Sequence, residues 1–206
     1  MNEQLKAIDT EYNGYLFRSR LEARWAVFFD ALGIKYEYEK EGYDTPAGYY
    51  LPDFWLPETT TFIEIKPADY CENSYIMLPS IDPRWEYVNV KERLVIVCGT
   101  PGEVFDPYSD KNSYQGFIIC DFPYYWAECP ECGCVDIHFD ARSGRNRNHK
   151  KGCINANGDK QYNWSSPRLN HAYNAARKAR FEHGSRGVIR WHVLEISSRD
   201  FLRTRS

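Results

Sequence analysis

Three residues in the stretch LPDFWLPETTTFIEIK, numbers 51 to 66, have types and spacing that can do chemistry: Asp53, Glu64 and Lys66. Two short apolar runs, 54 to 56 and 61 to 65, flank Pro57-Glu58-Thr59-Thr60, a pattern that predicts a β-hairpin. With those four residues as the loop, Leu56 pairs with Thr61, Trp55 with Phe62 and Phe54 with Ile63. Asp53 then falls opposite Glu64, and paired residues share a face of the sheet with Cβ atoms about 4.5–5.5 Å apart. Lys66, two residues beyond Glu64, points to that same face, while Ile63 and Ile65 point to the other. Two carboxylates that meet across a strand pair suit Mg²⁺ or Mn²⁺, hard cations that take oxygen ligands together with water and phosphate oxygens. Such an ion polarises a phosphoryl oxygen and acidifies a bound water, and Lys66 would stand beside the phosphate. A solvated surface strand is the plainer alternative; the coincidence of Asp53 and Glu64 in register favours the chemical one.

Pro52-Asp53 followed by Glu64-Ile65-Lys66 resembles the signature of the PD-(D/E)xK, or restriction-endonuclease-like, nucleases, and a helical glutamate upstream adds to the likeness. The resemblance covers about the first half of the chain. It implies a core of one helix, a three-stranded meander, a second helix and a further strand. It also implies metal-dependent phosphodiester cleavage, in DNA or less often RNA. Asp53 and Glu64 match the metal-binding carboxylates of that family and Lys66 its catalytic lysine. Some members have lost catalysis, so a non-catalytic nucleic-acid-binding or inhibitory protein on the same scaffold is the alternative.

The elements that must position these groups can be read in order. Residues 16 to 32 predict an amphipathic helix stopped at Gly33, with Leu21, Trp25, Phe28, Phe29 and Leu32 at three- and four-residue steps. Glu22 lies at the edge of that stripe. It either pairs locally with Arg18 at i−4 or reaches the metal, directly or through water, as the resemblance implies. Residues 34 to 39 predict the first meander strand and 43 to 51 a loop. No helical period persists from 67 to 90, where the resemblance implies a helix. Arg93 to Cys98 and Gly116 to Cys120 predict buried strands, with Cys98 and Cys120 as core thiols.

Cys129-Pro-Glu-Cys132-Gly has the spacing of half a zinc site. His149 and Cys153, spaced H-x₃-C, follow a basic stretch and supply the other half. The predicted ligand set is Cys129, Cys132, His149 and Cys153, with Cys134 and His138 as competing fourth ligands. Ser165-Ser166-Pro167 then begins a helix expected over 167–183, and residues 188 to 196 predict a final strand. His171, His183 and His192 lack partners at metal spacing.

At 206 residues with 43% hydrophobic content, the chain can bury one ordinary domain plus a small unit. The expected division is 1–124 as nuclease core, 125–164 as zinc-ribbon-like unit, and 165–206 as basic C-terminal helix and final strand. The fold class is mixed α/β (α+β), a central mixed sheet flanked by helices. No run approaches the ~20 apolar residues of a membrane span, and the polar start is no secretory signal, which predicts a cytoplasmic protein with no membrane association. Seven cysteines, an odd number, then favour thiols and metal ligands over a disulfide framework. The net charge of −3 hides a split. Residues 1–140 hold 11 Lys/Arg against 25 Asp/Glu, whereas 141–190 hold 12 against 2. That asymmetry points to a nucleic-acid partner, expected to be DNA, with Arg145, Arg147, Lys150, Lys151, Arg177, Lys178 and Arg180 meeting its phosphates. The alternative for the last three is a favourable effect on their own helix C-terminus.

Overall fold

The computed structural model describes residues 7–68, 83–84, 87–88, 93–102, 116–118, 122–139, 149–155 and 162–181. Its element order begins with β1 (Thr10–Tyr12), β2 (Tyr15–Phe17), α1 (Arg20–Leu32), β3 (Glu37–Tyr38), β4 (Tyr43–Thr45) and β5 (Gly48–Tyr50). The hairpin strands β6 (Phe54–Leu56) and β7 (Thr61–Lys66) follow, then β8 (Arg93–Cys98), β9 (Gly116–Ile118), β10 (Phe122–Glu128), β11 (Val135–Phe139) and α2 (Pro167–Lys178). The central hairpin has the predicted register: Leu56 opposite Thr61, Trp55 opposite Phe62, Phe54 opposite Ile63.

Seven strands make one sheet in the order β11-β10-β9-β8-β7-β6-β3. β7 and β8 run parallel, with Glu64 opposite Ile96, and the other neighbouring pairs are antiparallel. The protein is thus a mixed α+β fold on a mixed sheet. One face of the hairpin and β8 sends Phe54, Ile63, Ile65, Val95 and Val97 into a core shared with α1 and α2. Phe28 of α1 stacks on Tyr173 of α2 at 5.1 Å between ring centroids. Trp25, fully buried, donates its indole N–H to the Gly99 carbonyl at 3.0 Å and so ties α1 to the end of β8.

α1 starts at Arg20, not Leu16, because Ser19 caps it by accepting the Glu22 N–H. Residues 15 to 17 instead form β2, folded back on β1 through Asn13-Gly14. Both turn residues have positive φ, 49° and 84°, the two-residue turn that suits the twist of a hairpin. Gly33 ends the helix in the left-handed conformation. The first meander strand shrinks to Glu37–Tyr38, and the expected loop at 43–51 holds the β4-β5 hairpin. α2 begins as predicted, with Ser166 as cap and Pro167 at its first position, but it stops at Lys178 because Ala179 turns extended.

Segment 125–164 has a small buried cluster of its own, Ala127, Cys129, Cys134 and Tyr162, and also contributes to the main core. The boundary at 124 falls inside β10, and Trp126, Val135 and Ile137 join the same apolar core as α1. Cys98 is buried but disulfide-bonded, not the free thiol expected. Cys120, Arg145, Arg147, His183, His192, most of 67–90 and the strand expected at 188–196 lie outside the described residues. Among the described residues no helix is long and apolar enough to cross a membrane.

Candidate functional site

The hairpin and the start of α1 bring three carboxylates together. Glu22, Asp53 and Glu64 are 8%, 4% and 5% exposed, so the picture of a solvated surface strand does not hold. Each is fully engaged. Asp53 Oδ2 accepts the Ile65 backbone N–H at 2.7 Å, and Asp53 Oδ1 accepts Arg18 Nη2 at 2.8 Å. Glu64 Oε2 accepts the Tyr50 hydroxyl at 2.6 Å, and Lys66 Nζ donates to Glu64 Oε1. Glu22 takes the Ser19 hydroxyl on Oε1 at 2.7 Å and the Tyr38 hydroxyl on Oε2 at 2.6 Å.

The local ion pair between Arg18 and Glu22, the alternative to a role at the metal, does not form. Arg18 gives Glu22 only its backbone N–H, at 3.1 Å, and sends its guanidinium to Asp53 and to Glu39, the latter at 2.7 Å. Glu22 instead stands three residues after its cap Ser19, the S-x-x-E pattern that satisfies the first turn of a helix. Arg84 lies further out, over the Tyr50 ring at 5.3 Å and donating to the Tyr49 carbonyl.

Charge explains what this cluster can do. Four carboxylates, Glu22, Glu39, Asp53 and Glu64, meet two cations, Arg18 and Lys66, which leaves negative charge in excess if all six are ionised. Burial first, then the neighbouring Glu64 and Glu22, hold the Asp53 carboxyl well above its usual range, against the Ile65 N–H and Lys66. A buried surplus of negative charge among oxygen ligands is a fit for a hard cation. The trio does not form one tight chelate: among the described residues, the group of three or more ligand atoms within 4.8 Å of one another is a different one.

That group is Cys129, Cys132, His149 and Cys153, the predicted set, and it can hold a metal such as zinc. Two glycine-assisted turns build it. Gly133, at φ 69°, donates to the Cys129 carbonyl, and the Cys153 N–H returns to the Lys150 carbonyl after Gly152, at φ 81°. Cys129 and Cys153 sulfurs are 3.9 Å apart, against about 3.8 Å for an edge of a tetrahedron with Zn–S near 2.3 Å. Cys132 Sγ lies 3.3 Å from His149 Nδ1. His149 Nε2 meets the buried Tyr162 hydroxyl at 2.8 Å, which fixes the ring as second partners of metal-bound histidines do. Asn155 Nδ2 donates to Cys129 Sγ at 3.6 Å.

Cys134 stands beside the set, its sulfur 3.1 Å from Cys132 and 3.5 Å from His149 Nδ1. Burial and the Cys132 sulfur push its thiol up. Burial also opposes ionisation at Cys132, but the Cys134 backbone N–H, His149 and the Cys134 thiol outweigh it and bring that thiol down to about 5. The side chain of His138 lies outside the described residues.

Of the basic residues, Lys150, Lys151, Arg177, Lys178 and Arg180 are exposed, and Arg177 also donates to Asn174 at 3.1 Å. His171 is an exposed residue of α2, as a histidine without metal partners should be. Tyr38, Tyr50, Tyr162 and the Arg18–Asp53 pair are site features that sequence reasoning missed; only Ser19, through S-x-x-E, carried a local signal. The chain matches no family model, no curated protein and no solved structure.

Proposed function

We propose that this chain is a divalent-metal-dependent nuclease that hydrolyses phosphodiester bonds in DNA. One observation carries the reading: Glu22, Asp53 and Glu64 are buried together, with Lys66 on Glu64 and Arg18 shared between Asp53 and Glu39, so that with every group ionised the cluster holds more negative charge than its two cations offset. A surplus buried charge is costly unless a cation neutralises it. The order of elements supports the reading too. The helix α1, the antiparallel neighbours β3, β6 and β7, with the β4-β5 hairpin inserted between β3 and β6, and the parallel strand β8 agree with the helix, meander and further strand that the resemblance to PD-(D/E)xK nucleases implies; the place of its second helix lies mostly outside the described residues.

In this reading Asp53 and Glu64 would hold Mg²⁺ or Mn²⁺, and Glu22 would complete the site, directly or through water. The bound ion supplies Lewis acidity and an acidified water. Lys66 Nζ, already directed by Glu64, offsets charge on the phosphate and positions the water. The Ile65 N–H keeps Asp53 aimed into the site. Cys129, Cys132, His149 and Cys153 hold a structural zinc, and the exposed lysines and arginines of 141–190 draw the DNA backbone towards an otherwise acidic protein.

A second reading, a non-catalytic nucleic-acid-binding or inhibitory protein on this scaffold, draws support from Arg18, a protein cation already seated on Asp53 Oδ1. Incubating the purified protein with plasmid, single-stranded and branched DNA in Mg²⁺ or Mn²⁺ separates the two. Cleavage of any of them, abolished in a Lys66→Ala preparation, supports the nuclease; binding with no cleavage in either metal supports the scaffold.

A further inference from the structure

We propose that Arg18 is a removable counter-ion of Asp53, seated where it competes with the divalent cation, so that metal binding and release of the Arg18 guanidinium are the same event. The inference rests on the nuclease reading and adds to it the residue that sets metal affinity.

Four observations carry it. The guanidinium bridges two carboxylates, Asp53 at 2.8 Å and Glu39 at 2.7 Å, a fork geometry that an ammonium cannot copy. The Asp53 oxygen it occupies, Oδ1, is the one left over once the Ile65 N–H has taken Oδ2. Asp53 therefore has no oxygen to give a metal that is clear of another cation or donor. The side chains differ in freedom: that of Arg18 is 55% exposed, that of Asp53 only 6%. The guanidinium can leave into water while the carboxylate stays. Finally, the main chain of Arg18 is pinned, its N–H meeting Glu22 Oε2 and the Tyr38 hydroxyl, both at 3.1 Å. Release then needs side-chain rotation alone, with no movement of α1.

The physical logic is that of any two ligands for one site. A cation that displaces Arg18 gains the Asp53 carboxylate but must offset the lost ion pair, and by linkage Arg18 weakens the metal as much as the metal weakens Arg18. In the metal-free protein the pair keeps a buried carboxylate from standing uncompensated. Once displaced, the guanidinium remains at the rim of the site and still tethered to Glu39, in a form suited to phosphate oxygens.

The test is Mn²⁺ binding, read from the loss of the free-ion electron paramagnetic resonance signal, on zinc-loaded full chain without DNA. Arg18→Gln is expected to bind Mn²⁺ about five- to tenfold more tightly than wild type, within the usual range of coupling between sites. In an Asp53→Asn background, the same Arg18→Gln change is expected to have no effect, because the shared ligand is gone. Arg18→Lys keeps the charge but cannot span both carboxylates and is expected to fall between, which provides a second reading should Arg18→Gln fold poorly. A purely structural ion pair would lower melting temperature without tightening Mn²⁺. Unchanged or weaker Mn²⁺ binding in both Arg18 variants, with Asp53→Asn still weakening it, would overturn the role of Arg18 and leave the nuclease site standing. Mn²⁺ binding indifferent to Asp53→Asn and Glu64→Gln alike would remove the site and this inference with it.

Discussion

The backbone N–H of Ile65 donates to the Asp53 carboxylate at 2.7 Å, so the residue between Glu64 and Lys66 is the one that fixes Asp53. Phe54 and Ile63 are the last paired residues of the hairpin; beyond them the aspartate side chain takes the place of the next ladder bond. A slip of one residue would turn every side chain of one strand to the opposite face. It would separate Asp53 from Glu64 and bury Lys66 in the core. The register that packs Ile63 and Ile65 against α1 is therefore the register that assembles the carboxylates.

Asp53 should make the metal-free protein less stable as pH rises. Its folded-state carboxyl is held above the ordinary 3.8, chiefly by burial and then by Glu64 and Glu22. The native state thus keeps a proton that the unfolded state gives up, and stability falls as pH climbs from about 4 towards the raised value. In divalent-free buffer with zinc retained, the melting temperature of Asp53→Asn relative to wild type should rise as pH climbs from about 4 to 7.5, whatever constant difference the lost contact with Arg18 adds. Adding Mn²⁺ should raise the melting of wild type and not of Asp53→Asn, since a ligand at 100 times its Kd stabilises its binder by about 2.7 kcal/mol. An Asp53→Asn variant whose melting relative to wild type stays level or falls as pH rises would contradict the raised carboxyl.

One zinc per chain is the expectation for the Cys/His cluster, as for any closed four-ligand site. Elemental analysis of protein purified without chelator checks it. Cys129→Ser and Cys132→Ser should each lose the ion, whereas Cys134→Ser should keep it despite lying 3.1 Å from the Cys132 sulfur. If His149→Ala keeps zinc and Cys134→Ser loses it, the fourth ligand is Cys134.

Arg168 should transmit loss of that zinc to the rest of the fold. Its guanidinium donates to the Gly133 carbonyl in the first metal turn at 2.6 Å and to the Leu32 carbonyl at the end of α1. It also pairs with Glu128 at 3.4 Å. Charged hydrogen bonds are worth about 1.5–3 kcal/mol, less where solvent screens them, and this side chain is 44% exposed. Arg168→Ala is expected to cost about 1–2 kcal/mol in urea unfolding with zinc content unchanged. Zinc lost together with stability would place Arg168 in the metal site itself.

How much of this was legible in the sequence follows from the range of the interactions. The hairpin was readable because two short apolar runs around a four-residue loop fix register locally. CPECG and H-x₃-C were readable because a tetrahedral ion dictates spacing. The start of α1 was misplaced because apolar periodicity continues back to Leu16, although Ser19-x-x-Glu22 and Asn13-Gly14 both marked the break. Arg18 to Asp53 and Tyr50 to Glu64 span 35 and 14 residues, and no local pattern encodes them. The place of residue 124 inside a strand was hidden for a similar reason. Composition changes there, but β10 and β11 extend the same sheet, and Trp126 packs on Trp25 and Phe28 of α1.

Phosphate binding by the basic residues is testable through salt. Each duplex phosphate neutralised by Lys or Arg lowers log affinity by about 0.9 per unit of log salt. If Arg145, Arg147, Lys150, Lys151, Arg177, Lys178 and Arg180 neutralise about four or more phosphates, the slope should be about −4 or steeper. Replacing Arg177, Lys178 and Arg180 together should flatten it by about 0.9 for each phosphate they neutralise and weaken different sequences alike. Should the triple variant change melting and leave the slope alone, those residues serve only to balance the protein's own acidic face.

Cleavage by Glu64→Gln is the most direct measurement of the central claim. The substitution keeps side-chain size and the Tyr50 and Lys66 neighbours but removes the charge that a divalent cation needs. Wild-type protein should nick supercoiled plasmid in Mn²⁺ or Mg²⁺ and not without added divalent ion, and Glu64→Gln should leave the plasmid intact at the same protein concentration while melting cooperatively. Nicking by Glu64→Gln at the wild-type rate, or by wild type with no divalent ion present, would contradict a metal-dependent site built on Asp53 and Glu64.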